Sequence, residues 1–257
     1  MYYGSRFPKY VSVAEKREKA EKTMAKLRKK QGNLEPVILT GNKITATWWG
    51  KAWNENLEKY ADYSNRIGRG RSYVRHGAVL DLKITAGKVT ALVQGSRSQP
   101  YKVDVTIKPV PEKNWAAIKS ACRKNLDSLQ ELLEGKFPKT LEELFTNKGT
   151  GLFPSPKEIK FDCSCPDWAD MCKHVAAVCY GIGARLDQNP GLFFSLRQAD
   201  MDDLISGAVK EKTKQLLKKS KTTSSRILKG VDVEDMFGIE LAKPEQAVKK
   251  GRKKTVK

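Results

Sequence analysis

The chain has 257 residues, enough for one large domain or two small ones, and a hydrophobic fraction of 39% that supports a core but leaves part of the chain outside it. Lysine and arginine number 49 against 29 acidic residues, a formal net charge of +20. An excess of that size draws polyanions, of which nucleic acid is the commonest in cells, whereas the plainer reading is a solvated lysine-rich surface without a partner.

Met1–Ser12 shows no charged-then-apolar leader. The longest near-apolar stretch, Val175–Ala184, falls short of the ~20 residues that a membrane helix needs. The expectation is a cytoplasmic protein with no membrane partner. In a reducing compartment, clustered cysteines favour metal ligation over disulfides, and three of the five cysteines lie between positions 163 and 172.

In chain order, Ser12-Val-Ala-Glu15 reads as a capping box that opens a basic helix running to about Gln31, with Gly32 as its stop. Val13, Ala20, Met24 and Leu27 are its few apolar residues, so this helix is expected to be mostly solvated. Trp49, Trp53, Leu57 and Tyr60 recur at about four-residue spacing, a helical stripe that reads as core. The stretch Tyr63–Arg75 reads as a loop carrying Arg66, Arg69, Arg71 and Arg75 around Gly68 and Gly70, with Tyr63 and Tyr73 at its flanks. Arginine forks suit phosphates and tyrosines suit bases, so it is a candidate nucleic-acid contact; a solvated loop is the alternative. His76, beside Gly77, reads as a solvated turn histidine.

Alternation at Leu80/Leu82/Ile84, Val89/Ala91/Val93 and Tyr101/Val103/Val105/Ile107, with a turn at Ala86-Gly87, predicts a three-stranded antiparallel meander. Pro109 and Pro111 close it, and helical patterns follow over about 112–134 and 139–145. After the cysteine-rich segment come a helix through 175–186, a break at Pro190-Gly191 and a helix over about 202–219. Met236, Phe237, Ile239 and Leu241 form a hydrophobic island suited to a partner groove or to the chain's own core, ahead of a basic tail at Lys249–Lys257.

The strongest chemical signal is Cys163-Ser-Cys165 followed, after six residues, by Cys172-Lys-His174. Donors two apart on an extended segment point the same way, and Pro166 and Trp168 lie in the spacer that brings the pairs together. Three thiolates and one imidazole make a closed tetrahedral shell, the structural kind of zinc site, and soft sulfur disfavours magnesium or calcium. A Cys163–Cys165 disulfide would close a strained ring, and a lone thiol nucleophile would not use three cysteines. An iron–sulfur cluster would have to recruit Cys179, which reads as a buried residue of the following helix.

Cys-x-Cys, a spacer and Cys-x-His, running from a strand at Ile159–Asp162 into a helix at Lys173–Leu186, resemble the SWIM zinc finger. That module is known from chromatin-remodelling-type ATPases, plant transposase-like proteins and a kinase-associated protein. Thr47–Trp53, Ala61-Asp62-Tyr63-Ser64-Asn65-Arg66 and Gly70–Leu80 extend the resemblance to bacterial and archaeal SWIM proteins, often encoded beside a Snf-type helicase. The resemblance implies one structural zinc on Cys163, Cys165, Cys172 and His174, and binding to DNA or protein.

No phosphate-cradling loop is present: Gly50-Lys51-Ala52 lacks the following hydroxyl, and Gly68-Arg69-Gly70 lacks a third glycine in register. The carboxylates show no pairing, so neither an enzyme nor a small-molecule substrate is expected. The expected fold class is α+β: an antiparallel sheet with flanking helices, a strand–helix SWIM finger and a flexible basic C-terminal tail. Boundaries fall at 1–110 (basic helix and sheet region), 111–152 (helical connector), 153–190 (finger), 191–220 (helical segment) and 221–257 (tail). The expected function is nucleic-acid binding, DNA ahead of RNA, through Arg66, Arg69, Arg71, Arg75, Tyr73, Lys157, Lys160 and Lys173, beside a Snf-type helicase. The alternatives are an adaptor that docks a helicase without touching DNA and, more remotely, a single-stranded RNA binder.

Overall fold

The structure is a computed structural model that describes residues 10–124, 139–147 and 149–221. Of the sequence-based expectations, the end of the helix over 112–134, the hydrophobic island at Met236–Leu241 and the basic tail lie outside the described residues. The chain divides into a unit over Met1–Lys212 and a second over Thr213–Lys257; of the second, only 213–221 is described.

The elements of the first unit mix helix and strand, as expected. Helix α1 (Val13–Gln31) begins at Ser12 with both capping-box hydrogen bonds present and ends at Gly32, whose φ of 74° suits glycine. Helix α2 (Trp48–Glu58) is capped by Thr47, whose hydroxyl accepts from the Gly50 amide at 3.2 Å. Its stripe is core: Trp53 and Leu57 are fully buried, and the Trp53 indole N–H donates to the Cys179 carbonyl at 3.0 Å.

The stretch read as an arginine–glycine loop is instead helix α3 (Ser64–Arg75). Two glycines cost it roughly 1 kcal/mol each in helix propensity. Burial of Ile67, Gly70 and Val74, at spacings of three and four, offsets that cost.

Strands β1 (Val79–Thr85), β2 (Lys88–Val93) and β3 (Tyr101–Ile107) form the expected meander, turning at Gly87 with φ 67°. A fourth strand, β4 (Ile159–Cys163), pairs antiparallel with β3, opposing Val103 to Cys163 and Ile107 to Ile159. The sheet order is therefore β1-β2-β3-β4. The segment around 35–37 runs along the free side of β1, with the Val37 amide donating to Val79 and the Leu82 amide to Glu35.

After the sheet come α4 (Glu112–Lys124) and a single 3-10 turn at Lys139–Leu141 that leads into α5 (Glu142–Thr146). Helix α6 (Lys173–Gln188) follows β4 and is buried all round from His174 to Ala184 except for its end, as befits a helix apolar on every side. It lies against α2, α3 and β1, and its backbone comes close to α3 at Gly70. A Cβ on Gly70 would lie 2.5 Å from the Ala176 side chain and 3.0 Å from the Ala176 backbone. The glycine is thus a close-packing residue and not a point of access to phosphate.

The break read at Pro190-Gly191 is the entry to a short helix, α7 (Gly191–Arg197), whose Phe193 packs edge-on against Trp53 at 5.9 Å. Helix α8 (Met201–Lys221) completes the described chain.

Candidate metal centre and basic surface

Strand β4 delivers Cys163 at its last residue, and Cys165 follows where the chain leaves the sheet. Cys172 is the N-cap of α6, its sulfur accepting from the Val175 amide at 3.5 Å, and His174 sits in the first turn. Cys172 and His174 are buried, whereas Cys163 and Cys165 are half-buried.

One donor atom from each of the four residues lies within 4.8 Å of the others. The His174 Nδ1 stands 3.9 Å from both the Cys163 and Cys172 sulfurs. Tetrahedral zinc, with bonds of about 2.0–2.3 Å, sets donors roughly 3.5–3.8 Å apart, so the set needs only a small contraction to close on an ion. Cys3His chemistry and this spacing form a site for one structural Zn2+.

The electrostatics favour the thiolate at Cys172 and the neutral thiol at Cys163 and Cys165. Cys172 is pulled down to about 4, first by the thiol of Cys163 hydrogen-bonding to it and, against burial, by His174 and the Val175 amide. Cys163 moves up because it supplies that hydrogen bond and is itself buried. A helix N-terminus favours the anion at Cys172 in the same sense. Zinc, as a dication, would favour the thiolate at all three sulfurs.

Residues absent from the motif orient the ligands. Tyr101 stacks on the His174 ring at 4.3 Å with 28° between planes, and Tyr73 meets it edge-on at 5.4 Å. Gly95 lies over the other ring nitrogen: a Cβ there would stand 3.0 Å from Nε2 and collide with Tyr101. Outside the ligand set, Asp167 accepts from the Arg66 guanidinium at 3.0 Å, and Asp62 accepts from the Met171 amide at 3.3 Å. The Cys165–Cys172 loop is thereby tied to the start of α3. In sequence, only the place of Asp62 and Arg66 within the resemblance segment Ala61–Arg66 hints at this; Tyr101 and Gly95 carry no local signal.

The basic residues divide. Arg66 is spent on Asp167, and Arg71 donates to Glu58 at 2.5 Å and to the Tyr180 hydroxyl at 2.8 Å. Tyr73 is half-buried against the histidines, so it is no open stacking platform. Arg69, Arg75, Lys157 and Lys160 are exposed, and Lys173 is half-buried at the start of α6. Along α3, Asn65, Gly68, Arg69, Ser72 and Arg75 form the exposed stripe, and neither arginine of that stripe forms an ion pair among the described residues.

His76 is not the solvated turn residue its sequence context suggests. It is only 5% exposed, lines a groove of about 810 Å³ between α1 and residues 36–42, and is pushed down to about 4 by burial and by Lys16 and Arg17.

With the geometry in place, the family comparison is direct: residues 156–181 match the SWIM zinc finger model. The segment resembles a SWIM zinc finger, and its Cys163, Cys165, Cys172 and His174 fit the zinc site. The finger's strand and helix are β4 and α6. The chain is also 38% identical over 168 residues to the uncharacterized protein Rv2102 of Mycobacterium tuberculosis, a stretch covering 65% of this chain and 60% of that protein. No solved structure matches the chain. No described helix is long and apolar enough to cross a membrane.

Proposed function

We propose that the chain is a zinc-stabilised nucleic-acid-binding protein of the cytoplasm, DNA ahead of RNA, acting without catalysis as an accessory beside a Snf-type helicase. The helicase element of this reading rests on the resemblance of the segments around Thr47–Trp53 and Gly70–Leu80. The observation that carries nucleic-acid binding is the outward stripe of α3. Its small and polar residues, Asn65, Gly68 and Ser72, allow a backbone to come close, and Arg69 and Arg75 stand free to take phosphates. The inner side of the same helix is clamped on the finger helix at Gly70, so the stripe is held rigidly. A net charge of +20 supplies long-range attraction of the right sign.

The test is fluorescence anisotropy with duplex and single-stranded probes across a salt series. The zinc-loaded protein is expected to bind both with little sequence preference, and affinity falls steeply with salt, each phosphate contact adding roughly 0.9 to the slope on duplex DNA. Arg69→Ala with Arg75→Ala should weaken binding to all sequences and reduce that slope by about two. Unchanged affinity and slope in the double variant would remove the α3 stripe from the interface. Failure of the native protein to bind any probe at low salt would remove the function.

A further inference from the structure

The groove that His76 lines meets the outer stripe of α3 at Arg75, which belongs to both. Its walls come from α1, from residues 36–42 and from the end of α3. Met24, Val37, Leu39 and Val74 supply apolar surface, and the neighbouring Ile38 is 67% exposed. Each wall is held in place. Lys19 of α1 donates to the Gly95 and Ser96 carbonyls at 3.2 and 2.7 Å, the Val37 amide donates to the Val79 carbonyl at 3.1 Å, and α3 is clamped at Gly70. A ligand therefore enters a preformed space at little ordering cost.

Charge narrows what that ligand is. Arg17 and Arg75 line the groove, both are exposed, and neither forms an ion pair among the described residues. Against these two guanidinium groups, Glu21 is the one carboxylate among the described residues that line it. Lys16 and Arg17 also stand close enough to His76 to disfavour its charged form. His76 itself is 5% exposed, and its Nδ1 has no well-formed hydrogen bond among the described residues. A buried ring nitrogen left open offers a ligand a polar contact.

The occupant must then carry negative charge together with a compact apolar part. A nucleotide of a single strand has both: phosphates for the arginines and a base to lie among apolar side chains. The groove's volume of about 810 Å³ lies within the range of small-ligand sites, roughly 300–1,000 Å³. A duplex keeps its bases stacked inside and offers the groove only phosphate. An acidic peptide with apolar side chains shares the two properties, but Arg75 favours the strand, since phosphates that follow the α3 stripe reach the groove at that residue.

Resting on the reading of the α3 stripe as a phosphate surface, we propose that this groove receives one unstacked base of single-stranded nucleic acid, with Arg17 and Arg75 holding the adjoining phosphates. The stripe then supplies affinity for any polyanion, and the groove adds a preference for single strands.

The experiment uses the full-length, zinc-loaded protein at one fixed salt concentration. The probes are oligothymidylate, an abasic strand of the same length and charge, and the thymidylate annealed to its complement. The variants are Arg17→Ala and the double substitution Met24→Ala with Ile38→Ala, at half-buried and exposed positions, with zinc content and the thermal transition verifying their fold. Oligothymidylate is expected to bind the native protein about tenfold more tightly than the abasic strand, and more tightly than the duplex. The double variant should bring the thymidylate-to-abasic ratio close to one and leave abasic affinity unchanged. Arg17→Ala should weaken both strands by the same factor. Equal binding of all three probes by the native protein overturns the groove's role and leaves nucleic-acid binding standing, as does a ratio that survives in the double variant. Failure to bind any probe at low salt removes the nucleic-acid reading and the groove's role with it. A peptide of alternating glutamate and leucine that binds the native protein and not the double variant, without displacing thymidylate, would assign the groove to an acidic protein segment and overturn the proposal.

Discussion

Helix α3 carries four arginines of one chemistry with opposite roles. Arg66 and Arg71 point to neighbouring elements, one closing on Asp167 of the zinc loop and the other on Glu58 and Tyr180. Arg69 and Arg75 lie exposed on the outer stripe and form no ion pair among the described residues. A guanidinium held in an ion pair has its charge and part of its donor fork committed to that partner, so the difference separates the helix into an inner, structural side and an outer side free to recognise something. Residue type does not predict the role; the facing element does.

The inner side rests on the metal, and the largest effect comes from removing it. Cys172→Ser deletes a buried ligand and the N-cap sulfur of α6. Structural zinc contributes roughly 10–16 kcal/mol of apparent binding energy, comparable to the whole stability of a domain. Because β4 is a strand of the sheet and α6 packs against α2, α3 and β1, loss of zinc is expected to abolish the cooperative thermal transition of the unit, not just to fray a loop. Zinc stoichiometry and circular dichroism on heating check this; stoichiometric metal in the variant would contradict the ligand assignment.

Gly70→Ala attacks the same side without touching a ligand. The added methyl meets the Ala176 backbone, and the helices must part, at about 1–3 kcal/mol. Chemical denaturation measures it, and a loss no larger than that of Gly68→Ala, where space is open, would show that the contact is loose.

The arginines themselves give the sharpest contrast. Arg66→Ala leaves Asp167 unpaired in a half-buried position and should cost about 1–3 kcal/mol, together with weaker zinc retention in a chelator competition. Arg69→Ala should change stability by less than ~0.5 kcal/mol and act on binding alone. Equal destabilisation by the two substitutions would dissolve the division between inner and outer sides.

His76 offers a pH-dependent effect of smaller size. Its folded-state value, about 4, lies below the 6.5 of an unfolded chain, so the unfolded state binds more protons between those values. Stability from the neutral, buried ring is complete above pH 6.5 and drains away as pH falls toward 4. His76→Gln should remove this pH dependence, so that the native protein's advantage over the variant shrinks by on the order of 2 kcal/mol as pH falls from 6.5 to 4, read from urea midpoints at fixed zinc.

Much of this was legible in order along the chain. Ser12, Gly32, the period-two alternation of β1–β3 and the Cys-x-Cys/Cys-x-His spacing are local patterns, and each led to the element or ligand it specifies. The arginine–glycine stretch was misread because glycine and arginine look alike in a loop and in a helix whose glycine touches another helix. His76 was misread because a residue beside a glycine turn is buried or not according to what packs over it, here α1 and the segment around 36–42. Tyr101 and Gly95 lie more than seventy residues from His174, and nothing nearby in sequence marks them as its supports.

By itself, the sequence determined the identity of the metal donors, the antiparallel meander and the basic character of the chain, because donor chemistry, side-chain alternation and net charge are properties of neighbouring residues or of composition. Only the tertiary structure decided that the finger's strand is the fourth strand of the sheet, that its helix is the centre of the core, and which arginines are spent. Those outcomes depend on which surfaces meet, and contact between residues 66 and 167 or 70 and 176 is set by packing across the fold, which no local pattern encodes.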